Sequence, residues 1–129
     1  LTNKFVSKMP DFYFQGKIYY NPVQLVMEKI GGTWKAPILH RLKSGKLRYG
    51  ELKSDLPRIS DRILSLQLKE LESTGLIERK LYPTIPPRTE YRLTPNGTKM
   101  VKLIEIIKRY GLAWMETEQM KGVVKKKKK

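Results

Sequence analysis

Apolar residues recur along most of the chain at intervals of three and four, the rhythm of helices with one buried face, and switch to alternation only over residues 76–93. Residues 1–20 mix aromatic and basic side chains without a period, which predicts a flexible arm, or a short helix ordered only on a partner. Within it Asp11-Phe12-Tyr13-Phe14-Gln15-Gly16 looks like part of a protease site used to remove tags, and it is set aside from the fold. Asn21-Pro22 opens a helix with Pro22 in first position, Val23, Val26, Met27 and Ile30 on one face, and Gly31-Gly32 as its end. Thr33 is the expected cap of a second helix carrying the stripe Trp34, Ile38, Leu39 and Leu42, which Gly45 stops and where Pro37 removes one backbone bond. Residues 46–56 place Leu47, Leu52 and Leu56 inward around a brief extended piece and a short helix ending at Pro57.

The clearest element follows. Ser60 is a good N-cap, and Ile59 and Leu64 stand where a hydrophobic staple needs them, so a helix runs to Thr74 and stops at Gly75. Its wheel puts Ile63, Leu64, Gln67, Leu68 and Leu71 on one face and Arg62, Ser65, Leu66, Lys69 and Ser73 on the other. Leu76 to Tyr82 and Thr89 to Leu93 then alternate as two strands around Pro83-Thr84-Ile85-Pro86-Pro87, a loop too rich in proline for a tight hairpin, and so a stiff projecting wing. Thr94-Pro95 starts a last helix, where Met100, Ile104, Ile107 and Trp114, flanked by Leu103, Ile106 and Tyr110, cover an arc too wide for one packing partner.

Composition narrows the classes. The 129 residues suit one domain, divided into an arm at 1–20, a body at 21–115 and a basic tail at 116–129 that ends in five consecutive lysines and is expected to be disordered. Lys plus Arg number 27 against 12 acidic residues, for a formal charge of +15. Without the lysine run, 22 basic residues still face 12 acidic ones, so the body itself favours a polyanion, nucleic acid above all. The absence of cysteine removes disulfides, thiolate metal sites and thiol switches. A single histidine, His40, no phosphate-binding glycine loop and no metal-spaced acidic cluster argue against an enzyme, a metal or a cofactor. No apolar run approaches the roughly 20 residues that span a bilayer, so the expectation is a cytoplasmic, nucleoid-associated protein without a membrane partner.

Helix, helix, short helix, polar-faced helix, strand, proline loop, strand and long helix form an α+β, mainly α order, that of a winged helix-turn-helix with a two-stranded wing and a long C-terminal dimerisation helix. The stretches Asn21-Pro22-Val23, Ile30-Gly31-Gly32-Thr33-Trp34-Lys35, Leu47-Arg48-Tyr49-Gly50-Glu51-Leu52, Ile59-Ser60, Leu68-Lys69-Glu70-Leu71-Glu72, Gly75-Leu76-Ile77-Glu78-Arg79, Tyr82, Pro86-Pro87-Arg88-Thr89-Glu90-Tyr91 and Leu93-Thr94 sharpen this. Together, over about residues 21–115, they resemble the HxlR-type bacterial and archaeal winged helix-turn-helix transcriptional regulators in order and spacing. The resemblance implies a homodimer whose terminal helices pair the subunits while each recognition helix and wing meets an operator half-site. Two departures stand out. Many members carry a cysteine just before the Pro-Val that opens the first helix, some as a sensor, and here it is Asn21. Asp61 and Leu66 occupy positions where members often have polar residues such as glutamine, so an operator sequence does not transfer.

Residue chemistry suggests roles on duplex DNA. Arg62, one turn into the helix on its outer face, suits a bidentate pair with guanine, a phosphate contact being the competing role. Ser65 can reach a base edge, Leu66 a thymine methyl and Asp61 a cytosine amine, although a first-turn carboxylate also suits the helix dipole. Ser60, Lys69, Lys35, Arg48 and Arg88 are candidate phosphate contacts, Arg88 held out by the stiff Pro86-Pro87 pair. Tyr49 is read as a core aromatic with its hydroxyl at the surface. Met100, Ile104, Ile107 and Trp114 are the candidate dimer interface. The function expected is a sequence-specific regulator on an inverted-repeat operator, with the 60–74 helix in the major groove and the 83–88 wing on the backbone or minor groove. The alternative is a winged-helix protein-interaction module with only nonspecific DNA affinity; RNA binding is disfavoured by the lack of an aromatic platform. A small-molecule effector is left open as a partner.

Overall fold

The computed structural model describes residues 12–118. Residues 1–11 of the arm and 119–129 of the predicted tail lie outside these residues, whereas 116 and 117, expected in a disordered tail, continue the last helix. Residues 12–20 depart from the flexible arm or short helix expected of them: β1 (Phe12–Phe14) and β2 (Lys17–Tyr19) pair antiparallel, Phe14 opposite Lys17. Gln15 and Gly16 both take left-handed backbone, with φ of 49° and 78°, so the supposed protease-site segment is a two-residue hairpin turn. The hairpin is tied down through Glu28, which accepts from the Tyr19 hydroxyl at 2.7 Å and pairs with Lys17.

Helix α1 (Pro22–Ile30) starts as its sequence predicts. Asn21 caps it, the side-chain oxygen accepting the Val23 N–H at 2.8 Å, so the residue standing at the position of the resembling family's cysteine closes a helix end here. Helix α2 (Lys35–Arg41) begins one residue later than a Thr33 cap requires. Trp34 holds the cap position in helical backbone with no side-chain cap, and the first helical bond runs from Ile38 N–H to the Trp34 carbonyl at 3.0 Å. Pro37 therefore precedes the first residue that needs a bonded N–H and removes nothing. A turn of 3-10 helix, Leu42–Ser44, ends at Gly45 with φ of 138°.

Strand β3 (Leu47–Arg48) leads into α3 (Tyr49–Asp55), then α4 (Asp61–Ser73), β4 (Ile77–Tyr82), β5 (Arg88–Leu93) and α5 (Pro95–Thr117). The wing is larger than a two-stranded one. The order is β3-β5-β4, so the extended piece at 47–48 forms a third, antiparallel strand with Leu47 opposite Tyr91. Ser60 caps α4, accepting the Ile63 N–H at 3.1 Å, and the staple residues Ile59 and Leu64 are both buried. Thr94 caps α5 in the same manner, accepting from Gly97 at 3.0 Å.

One core joins these elements. Ile38, Leu39 and Leu42 meet Leu52, Leu64, Leu68 and Leu71, with Leu76, Ile77, Tyr91, Val101 and Ile104 closing it from the sheet and α5. Each fully buried leucine or isoleucine contributes about 1.5–3 kcal/mol relative to exposure, and the same burial fixes which face of α4 remains outside. The four residues expected to form one dimer face divide. Ile104 is in the core and Met100 packs against it, whereas Ile107 and Trp114 are exposed together with Leu103, Ile106, Tyr110 and Leu112.

Candidate nucleic-acid interface

Burial separates the two faces of α4 as its wheel predicts. Leu64, Leu68 and Leu71 are buried, Ile63 and Gln67 half-buried, and Asp61, Arg62, Ser65, Leu66 and Lys69 exposed. Leu66 keeps 45% of its surface in water in the middle of this otherwise polar face. Neither Arg62 nor Lys69 has an ion-pair partner among the described residues, so both remain available to phosphate or base edges.

Asp61 is not free in that sense. The Tyr49 hydroxyl donates to its carboxylate at 2.9 Å and lies 3.5 Å from Ser65 Oγ, so the first residue of α3 holds the first turn of α4. Burial first, and the bond to Asp61 besides, push the Tyr49 phenol above its ordinary value, which keeps the hydroxyl a donor. The Ser60 hydroxyl oxygen accepts in the cap, and its proton is still able to reach a phosphate.

The basic candidates separate by partner. Lys35, expected at phosphate, instead pairs with Glu70 at 2.7 Å and is only 15% exposed, so it braces α2 against the inner edge of α4. Arg48 is exposed at the start of α3, where its N–H donates to Glu51 at 2.7 Å. Arg88 opens β5 opposite Tyr82, where the ladder meets the 83–87 loop, and is turned onto the sheet and not out along the loop: its guanidinium sits 4.1 Å from the centre of the Tyr82 ring and its Nε 3.3 Å from Glu90. Arg48 and Arg88 nevertheless line one open groove of about 780 Å³ between α3 and the wing, whose lining also includes the carboxylates of Glu51 and Asp55. Two cations 40 positions apart thus face the same space beside α4.

Sequence reasoning missed three features. Arg58 is exposed in the turn before the Ser60 cap, and a basic residue just ahead of a helix N-terminus was the available signal. Ile85, at the wing tip, is fully exposed. Glu90 is buried among the sheet's cations, which no local pattern announces. The described residues contain no group of acidic residues and histidine able to hold a metal, and no helix long and apolar enough to cross a membrane.

The comparison with known proteins decides the family, because the HxlR-like helix-turn-helix model matches residues 29–119, from the end of α1 through α5. The chain belongs to the HxlR-like helix-turn-helix family. It is 38% identical over 104 residues to an uncharacterized HTH-type transcriptional regulator of Methanothermobacter thermautotrophicus, covering 81% of this chain and 79% of that protein. It is 34% identical to the HTH-type transcriptional regulator YybR of Bacillus subtilis, covering 84% of this chain and 89% of the relative. Its fold is similar to that of the redox regulator HypR in its reduced form, with a TM-score of 0.73 at 33% identity, over 78% of this chain and 99% of that one. This HxlR-like protein is a winged helix-turn-helix transcriptional regulator and not an enzyme. Its 129 residues hold no cysteine, so no thiol chemistry follows from the likeness to HypR.

Proposed function

We propose that this HxlR-like regulator binds duplex DNA sequence-specifically as a homodimer on an inverted-repeat operator, in the cytoplasm and at the nucleoid. The observation that carries the reading is the outer face of α4, where Arg62, Leu66 and Lys69 stand free and Ser65 is exposed beside the Tyr49 hydroxyl, on a helix whose opposite face is fixed in the core. A helix held so firmly from behind presents its side chains to a major groove without further ordering. Arg62 reads a base edge, and Lys69, Arg58 and the Arg48–Arg88 groove meet phosphates on either side. The exposed apolar face of α5, with Ile106, Ile107, Tyr110 and Trp114, supports pairing with a second copy, as does the exposed apolar side of the hairpin at Tyr13, Ile18 and Tyr20. Asp61 is left out of base reading because Tyr49 occupies its carboxylate.

Selection from a random duplex pool at near-physiological salt, with the full chain and with one lacking Lys125–Lys129, tests this. A twofold-symmetric motif enriched by both chains is expected, its half-sites about one helical turn or a multiple apart. Arg62→Ala should then weaken operator binding by roughly 1–3 kcal/mol while scarcely changing random-DNA affinity. No motif, with binding that disappears when the lysines are removed, would overturn the reading in favour of a protein-interaction module. Equal losses of Arg62→Ala on both DNAs would remove its base-reading role.

A further inference from the structure

Glu90 is the one charged residue that is buried among the described residues, at 9% exposure, and it sits in the central strand of the wing sheet. Across the ladders it is opposite Arg48 on β3 and Lys80 on β4, and its own strand places Arg88 and Arg92 two positions away on either side. In an antiparallel sheet all of these side chains project from the same face. One carboxylate therefore stands within a field of cations on the part of the molecule that the DNA reading brings to a polyanion.

The two carboxylate oxygens are used separately. Oε2 lies 3.3 Å from Arg88 Nε, and Oε1 lies 3.4 Å from Lys46 Nζ. Arg88 is further confined by the Tyr82 ring at 4.1 Å, and Lys80 sits over the same ring at 4.9 Å. Burial alone would raise the Glu90 carboxyl, but Arg88, Lys46 and the Tyr82 hydroxyl outweigh it and hold it below the ordinary carboxylate range. It is ionised at neutral pH.

For an arrangement serving charge alone, such a carboxylate is counterproductive, because it repels phosphate and offsets a cation. Its geometry suits a different task. We propose that Glu90 is a positioning residue, an internal counter-ion that fixes Arg88 and Lys46 at the wing so that they meet DNA phosphates in one register. The proposal rests on the DNA-binding reading and adds a sign to it: removing this negative charge should strengthen indiscriminate binding and weaken discrimination.

The test compares Glu90→Gln with Glu78→Gln, which makes the same change of charge on the same sheet face at a residue 55% exposed and paired with Arg92 at 3.0 Å. Both variants should bind random duplex more tightly, by about two- to threefold. Only Glu90→Gln should lower the ratio of operator to random-duplex affinity, by about five- to tenfold. In the free protein, the NMR signal of Arg88 Nε–H should be slow to exchange in the wild type and in Glu78→Gln, and fast in Glu90→Gln. Arg88→Lys, which keeps the charge and loses the planar stack on Tyr82, gives a second route to the same loss of ratio should Glu90→Gln fold poorly. An unchanged ratio in Glu90→Gln or Arg88→Lys beside a discriminating wild type overturns the proposal alone. A wild type that does not discriminate overturns the DNA reading itself, whatever the Arg88 signal shows.

Discussion

Replacing Gly97 by alanine should destabilise the protein, although the same change inside a helix ordinarily gains about 1 kcal/mol. Gly97 is buried in the first turn of α5, where that helix crosses the end of the α4–β4 connection. A Cβ at this position would stand 2.0 Å from the Leu76 carbonyl oxygen, 3.1 Å from its carbon and 3.2 Å from Leu93 Cδ2. The obstacle is backbone, so no side-chain rotation relieves it, and α5 must retreat by about 1 Å or more to reach normal contact. The retreat strains two bonds that attach the helix start: Thr94 N–H to the Leu76 carbonyl at 3.1 Å, and the Thr94 hydroxyl to the Gly75 carbonyl at 2.6 Å. Overpacking of this kind costs about 1–3 kcal/mol, and each weakened bond adds about 0.5–1.5 kcal/mol. After the helix-propensity gain is subtracted, the net loss is about 1–5 kcal/mol. Urea unfolding followed by far-ultraviolet circular dichroism measures it as a lower midpoint at unchanged slope. Gly111, in the same helix with nothing within 4 Å of its would-be Cβ, is the control, and its alanine variant should gain up to about 1 kcal/mol at the same protein concentration. A Gly97→Ala protein as stable as the wild type would refute the close approach of α5 to Leu76.

Two further outcomes follow from the contacts around the hairpin and α4. Tyr49→Phe removes the bond to Asp61 while leaving that exposed carboxylate to water, so it should lower stability by only about 1 kcal/mol or less. It should also quicken amide exchange at the first turn of α4, and unchanged exchange there would show that the hydroxyl does not hold the helix. Lys17 first, and Tyr19 second, hydrogen-bond Glu28 and lower its pKa from the ordinary 4.5 to about 2. A depressed carboxyl stabilises the folded state above its unfolded value and loses that contribution as pH falls, so the hairpin should loosen from α1 between about pH 4.5 and pH 2. NMR shifts of the hairpin should report this transition in the wild type, and its persistence in Glu28→Gln would assign the loosening to another group.

What could be read from the chain was written locally. Ser60, Asn21 and Thr94-Pro95 announce helix starts because a cap acts on N–H groups two or three residues away, and Ile59 with Leu64 announces a staple over five positions. The inner and outer faces of α4 follow from a 3.6-residue period and one core. Three-residue strands leave no comparable period, so the hairpin at 12–19 was marked only by Gln15-Gly16, a turn that needs both residues left-handed.

The sequence by itself determined the order of elements, the exposed face of α4, the basic balance of the body and the family resemblance, since each depends on neighbours a few positions apart or on simple counts. The tertiary structure decided the fate of individual charges and apolar side chains. Lys35 is drawn to Glu70 and Arg88 to Glu90 and Tyr82, while Ile104 turns into the core and Ile107, three residues on, faces out. A helical wheel gives the width of an apolar arc but not which part meets its own domain, and a lysine's reach spans several competing partners. Those outcomes belong to residues brought together by chain folding, where distance in space and burial, not separation in sequence, set the electrostatic and packing energies.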